Sequence, residues 1–527
     1  MDIAQELEQL VLERQKPLNS ATERGDSPIQ QFYKGSTVFV TGGSGFLGKQ
    51  LIEKLFRSCA IKKVYVLMRS KKGKPIQERL EFMLNDPVYD SLLQKDPLFA
   101  DKIAALEGDV AEVRLGLHDK DWTILTEEVN IIFHLAATIR FDEPIRSATL
   151  INVRGTREAI YIAEKCKNLK CFVYVSTAFT HATTSRVDTE LMEQFYPCPV
   201  PPEVLIQLAE SVADERLNDM TPQMIKGWPN TYTFTKAVAE ELIRTSAGNL
   251  PVCVVKPPVV LPAYYEPTPG WADISIVFGP CGILVGVGFG VLHVFYTNTK
   301  LKLNMVPVDY VNNAIIAAGW DSEERRTSHK KLPIYTVSST KSNPVFFSTG
   351  FLGNILRSKY CKKFCSPKAV WYCYLIETNN RFVYWLLTWF LHYIPAYVLD
   401  FIFYVLRIKI KEIPSVIKLY KKIYKMSTIF GHFLTNEWHF NDNNLSDMIT
   451  RMSDSDKTIY NCDVSTIDYA EYVLVLSIGL RKYILKDGLI GSQKAYKRQK
   501  WLKYANIVFL ITNPGTHQCL FEFMCVL

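Results

Sequence analysis

The chain runs from Thr37-Val38-Phe39-Val40, a β-branched stretch, directly into Thr41-Gly42-Gly43-Ser44-Gly45-Phe46-Leu47-Gly48, after which Leu51, Ile52, Leu55 and Phe56 recur at helical spacing. Strand, glycine turn and helix in that order commit a chain to a parallel α/β unit. Small residues let backbone N–H groups approach a pyrophosphate, and the helix N-terminus stabilises its charge. A glycine-rich loop alone is a weak signal, and its place between a strand and a helix is what gives it force.

The next two hundred residues keep the same rhythm. Val64 to Met68 is an apolar run closed by Arg69, with Ser70, Lys71, Lys72 and Lys74 behind it. An acid at this point would grip a ribose 2′-hydroxyl, whereas a base accommodates a 2′-phosphate, so NADP(H) is expected rather than NAD. Ile103 to Val110 reads as a third strand, and Asp109 at its end is a candidate for the adenine amino group or a turn cap. Ile131 to Ala137 is a fourth, with small Ala136 and Ala137 letting a cofactor pass, and its His134 is assigned no chemistry. Ile145 to Lys165 is helical and carries Asn152; Cys171 to Thr177 is a fifth strand, and Val252 to Val255 another, closed by Lys256-Pro257-Pro258. This alternation predicts an α/β, doubly wound parallel sheet of Rossmann type. Thr41 to Gly48, Arg69, Asp109, Val110, Ala136, Ala137, Asn152, Lys236 and Pro257 form the candidate cofactor-binding set.

Ser176 and Thr177 end the fifth strand, at the edge where ligands bind in such sheets. Downstream, Tyr232 and Lys236 stand four residues apart and share a helix face. An ammonium near a phenol favours the phenolate, so the pair can exchange a proton with a carbonyl oxygen; the same spacing also arises as a surface tyrosine beside a solvated lysine. Tyr232, Lys236, Thr177 and Ser176 are the candidate catalytic residues. Between them, the proline-broken stretch from Tyr196 to Pro229 reads as a lid or acyl-chain wall, or as decoration.

Residues 274–296 are uncharged, and five glycines with Pro280 predict a buried loop region rather than a helix. The expected layout is a lead-in over 1–34 (a short helix, then a polar stretch), a reductase domain over 35–340, a mostly helical, membrane-associated domain over 360–485, and a basic and apolar tail over 486–527. Residues 382–406 are long enough to span a bilayer, although Pro395 and Asp400 favour an embedded hairpin or a buried helical pair. Residues 507–512 are too short for a further span.

The formal charge of 61 − 53 = +8 is concentrated late, at Lys409, Lys411, Lys418, Lys421, Lys422 and Lys425 and again at Lys494, Lys497, Arg498, Lys500 and Lys503. Both runs adjoin apolar stretches, so a membrane lipid surface is the expected partner and nucleic acid is not. Twelve cysteines lie without paired metal spacing, and Cys361-x-x-x-Cys365 has no downstream partner pair, so no metal is expected and a reducing compartment fits. The charged, amphipathic N-terminus is not of signal-peptide type, so the catalytic part is expected to face the cytosol.

The ordered set resembles an extended short-chain dehydrogenase/reductase, and more specifically the alcohol-forming fatty acyl-CoA reductases of insects. The carrying blocks are TGGSGFLGKQLIEKLFRSC (41–59), FHLAATIRFDEPI (133–145), INVRGTREA (151–159), YVSTAFT (174–180), KGWPNTYTFTKAVAE (226–240) and VPVDYVNNAIIAA (306–318). The resemblance implies NADPH-dependent reduction of a long-chain fatty acyl-CoA to a primary alcohol through an aldehyde, with Gly42, Gly45 and Gly48 at the pyrophosphate, Arg69 at the 2′-phosphate, Lys236 at the nicotinamide ribose, and Tyr232 with Thr177 or Ser176 at the carbonyl oxygen. It also implies an endoplasmic reticulum membrane, with the peroxisome as alternative; a homo-oligomer is compatible with it. A single-step reductase acting on a sterol or other lipid alcohol or ketone would use the same residues, and a non-catalytic NADP-binding membrane protein is the third reading. The chain departs from the family at Lys256-Pro257-Pro258, where Arg-Pro-Ser is common, and at Phe289 and His293, where a lysine and an arginine are common. The holder of the CoA phosphates is thereby left open.

Overall fold

The structure, a computed structural model, describes residues 1–70, 73–326, 332–346, 365–407 and 415–512. Lys71, Lys72, Cys361, Lys409, Lys411 and the residues after 512 lie outside the described residues.

Seven strands form one sheet: β1 Thr37–Thr41, β2 Lys63–Met68, β3 Ile103–Glu107, β4 Ile131–His134, β5 Cys171–Val175, β6 Val252–Lys256 and β7 Ile334–Thr336, in the order β7-β6-β5-β4-β1-β2-β3. All six pairings are parallel, with Val40 opposite Val66 on one side and Phe133 on the other. Both faces are covered, which is why the strands read as near-continuous apolar runs. Val38 and Val40 point into one apolar cluster and Phe39 into the other, as the two-residue strand period requires. The order reverses between β1 and β4, and a crevice opens there at the carboxyl ends of the strands.

Six helices matter for the site: α1 Phe46–Ser58; α2, built of Ile145–Thr149, a π turn over Leu150–Arg154 and Gly155–Lys165; α3 Thr231–Ser246; α4 Arg381–Val405; α5 Val416–Thr435; and α6 Ser492–Thr512. The first apolar cluster reaches from Val38 and Leu51 to Leu445, Tyr472 and Leu476, so the late helices pack on the sheet rather than beside it.

Three expectations are corrected. Residues 1–34 are not one helix and a polar stretch but three helices, Ile3–Glu13, Lys16–Arg24 and Pro28–Tyr33, and Tyr33 is buried with its hydroxyl on the Ile316 carbonyl at 2.8 Å. Ser27 opens the third of them with a capping box. Residues 274–296 hold a helix, Pro280–Gly288, and a strand, Val294–Tyr296. Pro280 sits in the first turn, where a missing N–H costs nothing, and Gly286 lies against Leu292, whose Cβ a methyl there would meet at 3.2 Å. Residues 382–406 are not a hairpin but one continuous helix, because a π turn at Trp389–Tyr393 absorbs Pro395.

Among the described residues, α4 is the one helix long and apolar enough to cross a membrane, and Phe382, Trp385, Phe401 and Tyr404 along it are exposed. Asp400 caps the next helix, accepting from Val416 N at 2.8 Å and Ile417 N at 3.1 Å.

Candidate active site

The crevice is shaped by close backbone approach. Gly42 has φ +76°, and a Cβ there would lie 2.7 Å from Ala136 N; one on Gly48 would lie 2.5 Å from Gly43 Cα. Only glycine fits these places. Gly45, by contrast, is exposed at the mouth, its N–H on Gly42 O at 3.0 Å, and it opens α1. The first-turn amides of α1 have no intrahelical acceptor, so the space above Gly45 suits a dinucleotide pyrophosphate.

His134, at the end of β4, ties the crevice together. Ala136 N donates to Thr41 Oγ1 at 3.3 Å, and Thr41 Oγ1 lies 2.8 Å from His134 Nδ1. Thr156 Oγ1 gives its proton to the Asn152 carbonyl at 2.7 Å, so it accepts from His134 Nε2 at 3.3 Å. Burial and the nearby Lys236 charge pull the imidazole down to about 3, which keeps it neutral. Asn152 sits in the π turn of α2; its Oδ1 accepts Thr138 N at 2.9 Å and its Nδ2 donates to Thr235 Oγ1 at 2.9 Å, binding the loop after β4 to α3.

Arg69 and Asp109 follow the carboxyl ends of β2 and β3 and pair at 3.3 Å, with Arg69 still 55% exposed. Asp109 also caps a turn through Ala111 N at 3.0 Å, because β3 ends at Glu107 and not at Val110. Arg79 donates to the Arg69 carbonyl, which brings a second guanidinium to this rim. Val110 packs on Gly155 of α2, where a Cβ would meet its Cγ2 at 2.7 Å.

Asn230 caps α3 through Thr233 N at 2.9 Å and sets the start of the helix that carries Tyr232 and Lys236. Burial pushes the Tyr232 phenol up to about 12, against the opposing influence of the Thr177 hydroxyl. Burial likewise pulls the Lys236 ammonium down to about 7, with Glu240 opposing; its Nζ donates to the Val175 carbonyl at 2.8 Å and lies 4.8 Å from the Tyr174 ring centroid. The two hydroxyls left open by the sequence separate here. Thr177 acts on Tyr232, whereas Ser176 Oγ donates to Glu240 at 2.5 Å. Pro257 holds the turn between them, its carbonyl accepting Ala178 N at 2.8 Å.

Glu240 was not singled out from the sequence, although it lies four residues past Lys236 on the same face. It is fully enclosed and accepts from Ser176, from Thr180 at 2.8 Å and from Lys256 Nζ at 3.1 Å. Burial works against the carboxylate, yet Lys256, His181 and the two hydroxyls hold it below the usual range. An aromatic wall was also missed: Phe141 stacks on Tyr232 with centroids 5.9 Å apart and meets Phe430 and Phe433 of α5 at 5.1 and 5.5 Å. No local periodicity marks these rings, since they converge from distant parts of the chain. Of Phe289 and His293, Phe289 is half-buried, whereas His293 is buried and stacked on Tyr374 at 4.4 Å, with its backbone N–H donating to His392 Nε2 at 3.0 Å.

Two family models, each described as male sterility protein, match the chain, the first an NAD-binding one over residues 40–315 and the second over residues 391–487. The chain is 37% identical over 491 residues to the fatty acyl-CoA reductase wat of Drosophila melanogaster, covering 92% of this chain and 91% of that protein. It is 34% identical to fatty acyl-CoA reductase 1 of Rattus norvegicus, covering 90% of each. Among solved structures, the terminal R domain of the myxalamid biosynthetic pathway superposes with TM-score 0.52 at 21% identity, over 86% of this chain and 93% of that one. The reductase domain of a Mycobacterium tuberculosis non-ribosomal peptide synthetase does so with TM-score 0.52 at 17% identity, over 92% and 99%. These likenesses share the fold, and the crevice is that of a nicotinamide dinucleotide. A chain so similar over nine-tenths of its length to these named relatives, and matched by an NAD-binding family model over residues 40–315, is an oxidoreductase, and it belongs to the fatty acyl-CoA reductase family of extended short-chain dehydrogenases/reductases.

Proposed function

We propose that this protein reduces a long-chain fatty acyl-CoA to the primary alcohol with NADPH, releasing CoA and passing through the fatty aldehyde. The observation that carries this reading is the aromatic wall of Phe141, Phe430 and Phe433 on the Tyr232 phenol, which gives a long alkyl chain an apolar berth beside a proton donor. The Gly42–Gly48 loop would hold the pyrophosphate of NADPH and Arg69 its 2′-phosphate, and the bound cofactor would supply the hydride for each of the two reductions.

The protein's own groups handle charge and protons. Tyr232 and Thr177 stabilise the oxygen that becomes negative at each addition. The oxyanion of the tetrahedral adduct re-forms the carbonyl as the carbon–sulfur bond breaks and its electron pair leaves on sulfur; the thiolate takes a proton from solvent and departs as CoA, and the aldehyde stays between the same two hydroxyls. Tyr232 then gives its proton to the alkoxide in the second reduction, and Lys236, held by the Val175 carbonyl, would meet the nicotinamide ribose. The outward aromatics of α4 rest on membrane lipid, where substrate and product both reside.

Incubation of the full chain with NADPH and palmitoyl-CoA in detergent tests this. Two NADPH are expected to be consumed per hexadecanol formed and per CoA thiol released, with NADH much less effective. Absence of alcohol across a series of acyl chain lengths would discard the reading.

A further inference from the structure

Helix α5 passes Tyr232 with an ordered change of chemistry along one row. Lys422, Met426, Ile429 and Phe433 stand at i, i+4, i+7 and i+11 and so stack along a single side of the helix. Phe433, at one end, belongs to the aromatic wall on Tyr232. Lys422, at the other, sits in a ladder with Lys418, Lys421 and Lys425, at i, i+3, i+4 and i+7 on the exposed face. At a rise of about 1.5 Å per residue, charge and ring are about 16 Å apart. The ladder is joined to the mouth of the site: Lys425 Nζ lies 2.9 Å from the Asp142 carboxylate, next in sequence to Phe141, and Arg140 reaches the same carboxylate at 3.5 Å. Among the described residues, the exposed Lys418 and Lys421 together with Lys425 and Arg140 outnumber the two acids paired there, Asp142 and Glu143, so the rim is positive. Residues 274–296 carry no lysine or arginine, and His293 among them is buried.

We propose that the lysine ladder of α5 binds the phosphates of the 3′-phospho-ADP group of a CoA thioester, with the pantetheine arm lying along Met426 and Ile429 so that the thioester reaches Tyr232 and Thr177. This rests on the thioester-reducing reading above. The row presents cation, apolar track and aromatic berth in the order in which a fatty acyl-CoA presents phosphate, pantetheine and acyl chain. An anionic lipid headgroup carries the same phosphate chemistry, but would not require the ladder to be continuous with the reacting end.

The test uses the full chain in neutral detergent micelles, comparing wild type with a Lys418→Ala/Lys421→Ala/Lys422→Ala triple variant and its charge-keeping Lys→Arg counterpart. The preference for palmitoyl-CoA over palmitoyl-pantetheine, as a ratio of kcat/KM values, is expected to fall about tenfold in the alanine variant and to return in the arginine one, with the wild-type preference itself declining as salt is raised. Adenosine 3′,5′-bisphosphate, titrated calorimetrically into NADPH-saturated protein, is expected to bind wild type and not the alanine variant. An unchanged ratio with unchanged bisphosphate binding overturns the proposal. So does an unchanged ratio with lost sedimentation on phosphatidylserine vesicles, which would make the ladder a membrane contact. If wild type forms neither aldehyde nor alcohol from palmitoyl-CoA, the thioester reading fails, while lysine-dependent bisphosphate binding would still support the anion site.

Discussion

Ser176 Oγ donates to the Glu240 carboxylate at 2.5 Å, so the serine that comes after β5 is anchored behind the site while its neighbour Thr177 is left to the Tyr232 phenol. Two adjacent hydroxyls on an extended backbone point to opposite sides, and the buried acid decides which one is left beside Tyr232. Replacing Thr177 by valine should therefore lower kcat by about 10²-fold, the usual loss for one oxyanion donor, with little change in KM. Ser176→Ala should cost less and act through position. Steady-state alcohol formation by the two variants checks this, and equal losses would contradict the division.

Lys256 carries the second prediction. Its Nζ meets Glu240 at 3.1 Å with both side chains almost wholly buried. Lys256→Ala would strand a buried carboxylate and cost about 3 kcal/mol. Lys256→Arg should keep the charge and most of the stability. Thermal unfolding of the two variants should separate them clearly.

The legibility of each feature in the sequence depends on where its signal lives. The sheet was legible because strands covered on both faces need unbroken β-branched runs, as at Val38 to Val40 and Val252 to Val255, and the glycine loop was legible because Gly42 and Gly48 answer to backbone contact alone. The helix at Pro280–Gly288 was hidden because its glycines read as breakers, whereas Gly286 is held against Leu292. The three N-terminal helices were hidden because their core side is made by distant partners, such as Ile316 for Tyr33. At the site, the shared face of Tyr232 and Lys236 is a local spacing, legible from the sequence alone. The Thr177 or Ser176 choice depends on Glu240 across a strand-to-helix contact, and the aromatic wall on a helix contributed by the far end of the chain, and neither leaves a trace in local pattern.

His134 gives a pH prediction with a definite sign. Its imidazole is held at about 3 in the folded protein against an ordinary 6.5, so between these values the unfolded chain binds a proton that the native chain refuses. Its contribution is fully present above pH 6.5 and is lost as pH falls toward 3. In His134→Asn, whose amide can still reach Thr41 and Thr156, the unfolding temperature should fall less steeply with acid over that window than in wild type. Parallel curves would show that the ring is not the group refusing the proton.

Arg69 sets the last expectation. It ends β2 at the rim of the crevice, is 55% exposed, and its nearest charge is Asp109 at 3.3 Å, a pair weak enough in water to yield to a better anion. A 2′-phosphate carries up to two negative charges and accepts the guanidinium's parallel N–H donors, which a ribose hydroxyl cannot match. Arg69→Ala should raise the KM for NADPH at least about tenfold, equivalent to about 1.4 kcal/mol, while leaving that for NADH almost unmoved. Asp109 would then have no cation to hold and would add repulsion toward the phosphate, so Arg69→Ala/Asp109→Asn should recover part of the loss. Coenzyme titrations of the single and double variants at two salt concentrations check both steps. If NADPH and NADH constants rise together, Arg69 shapes the crevice and does not read the phosphate.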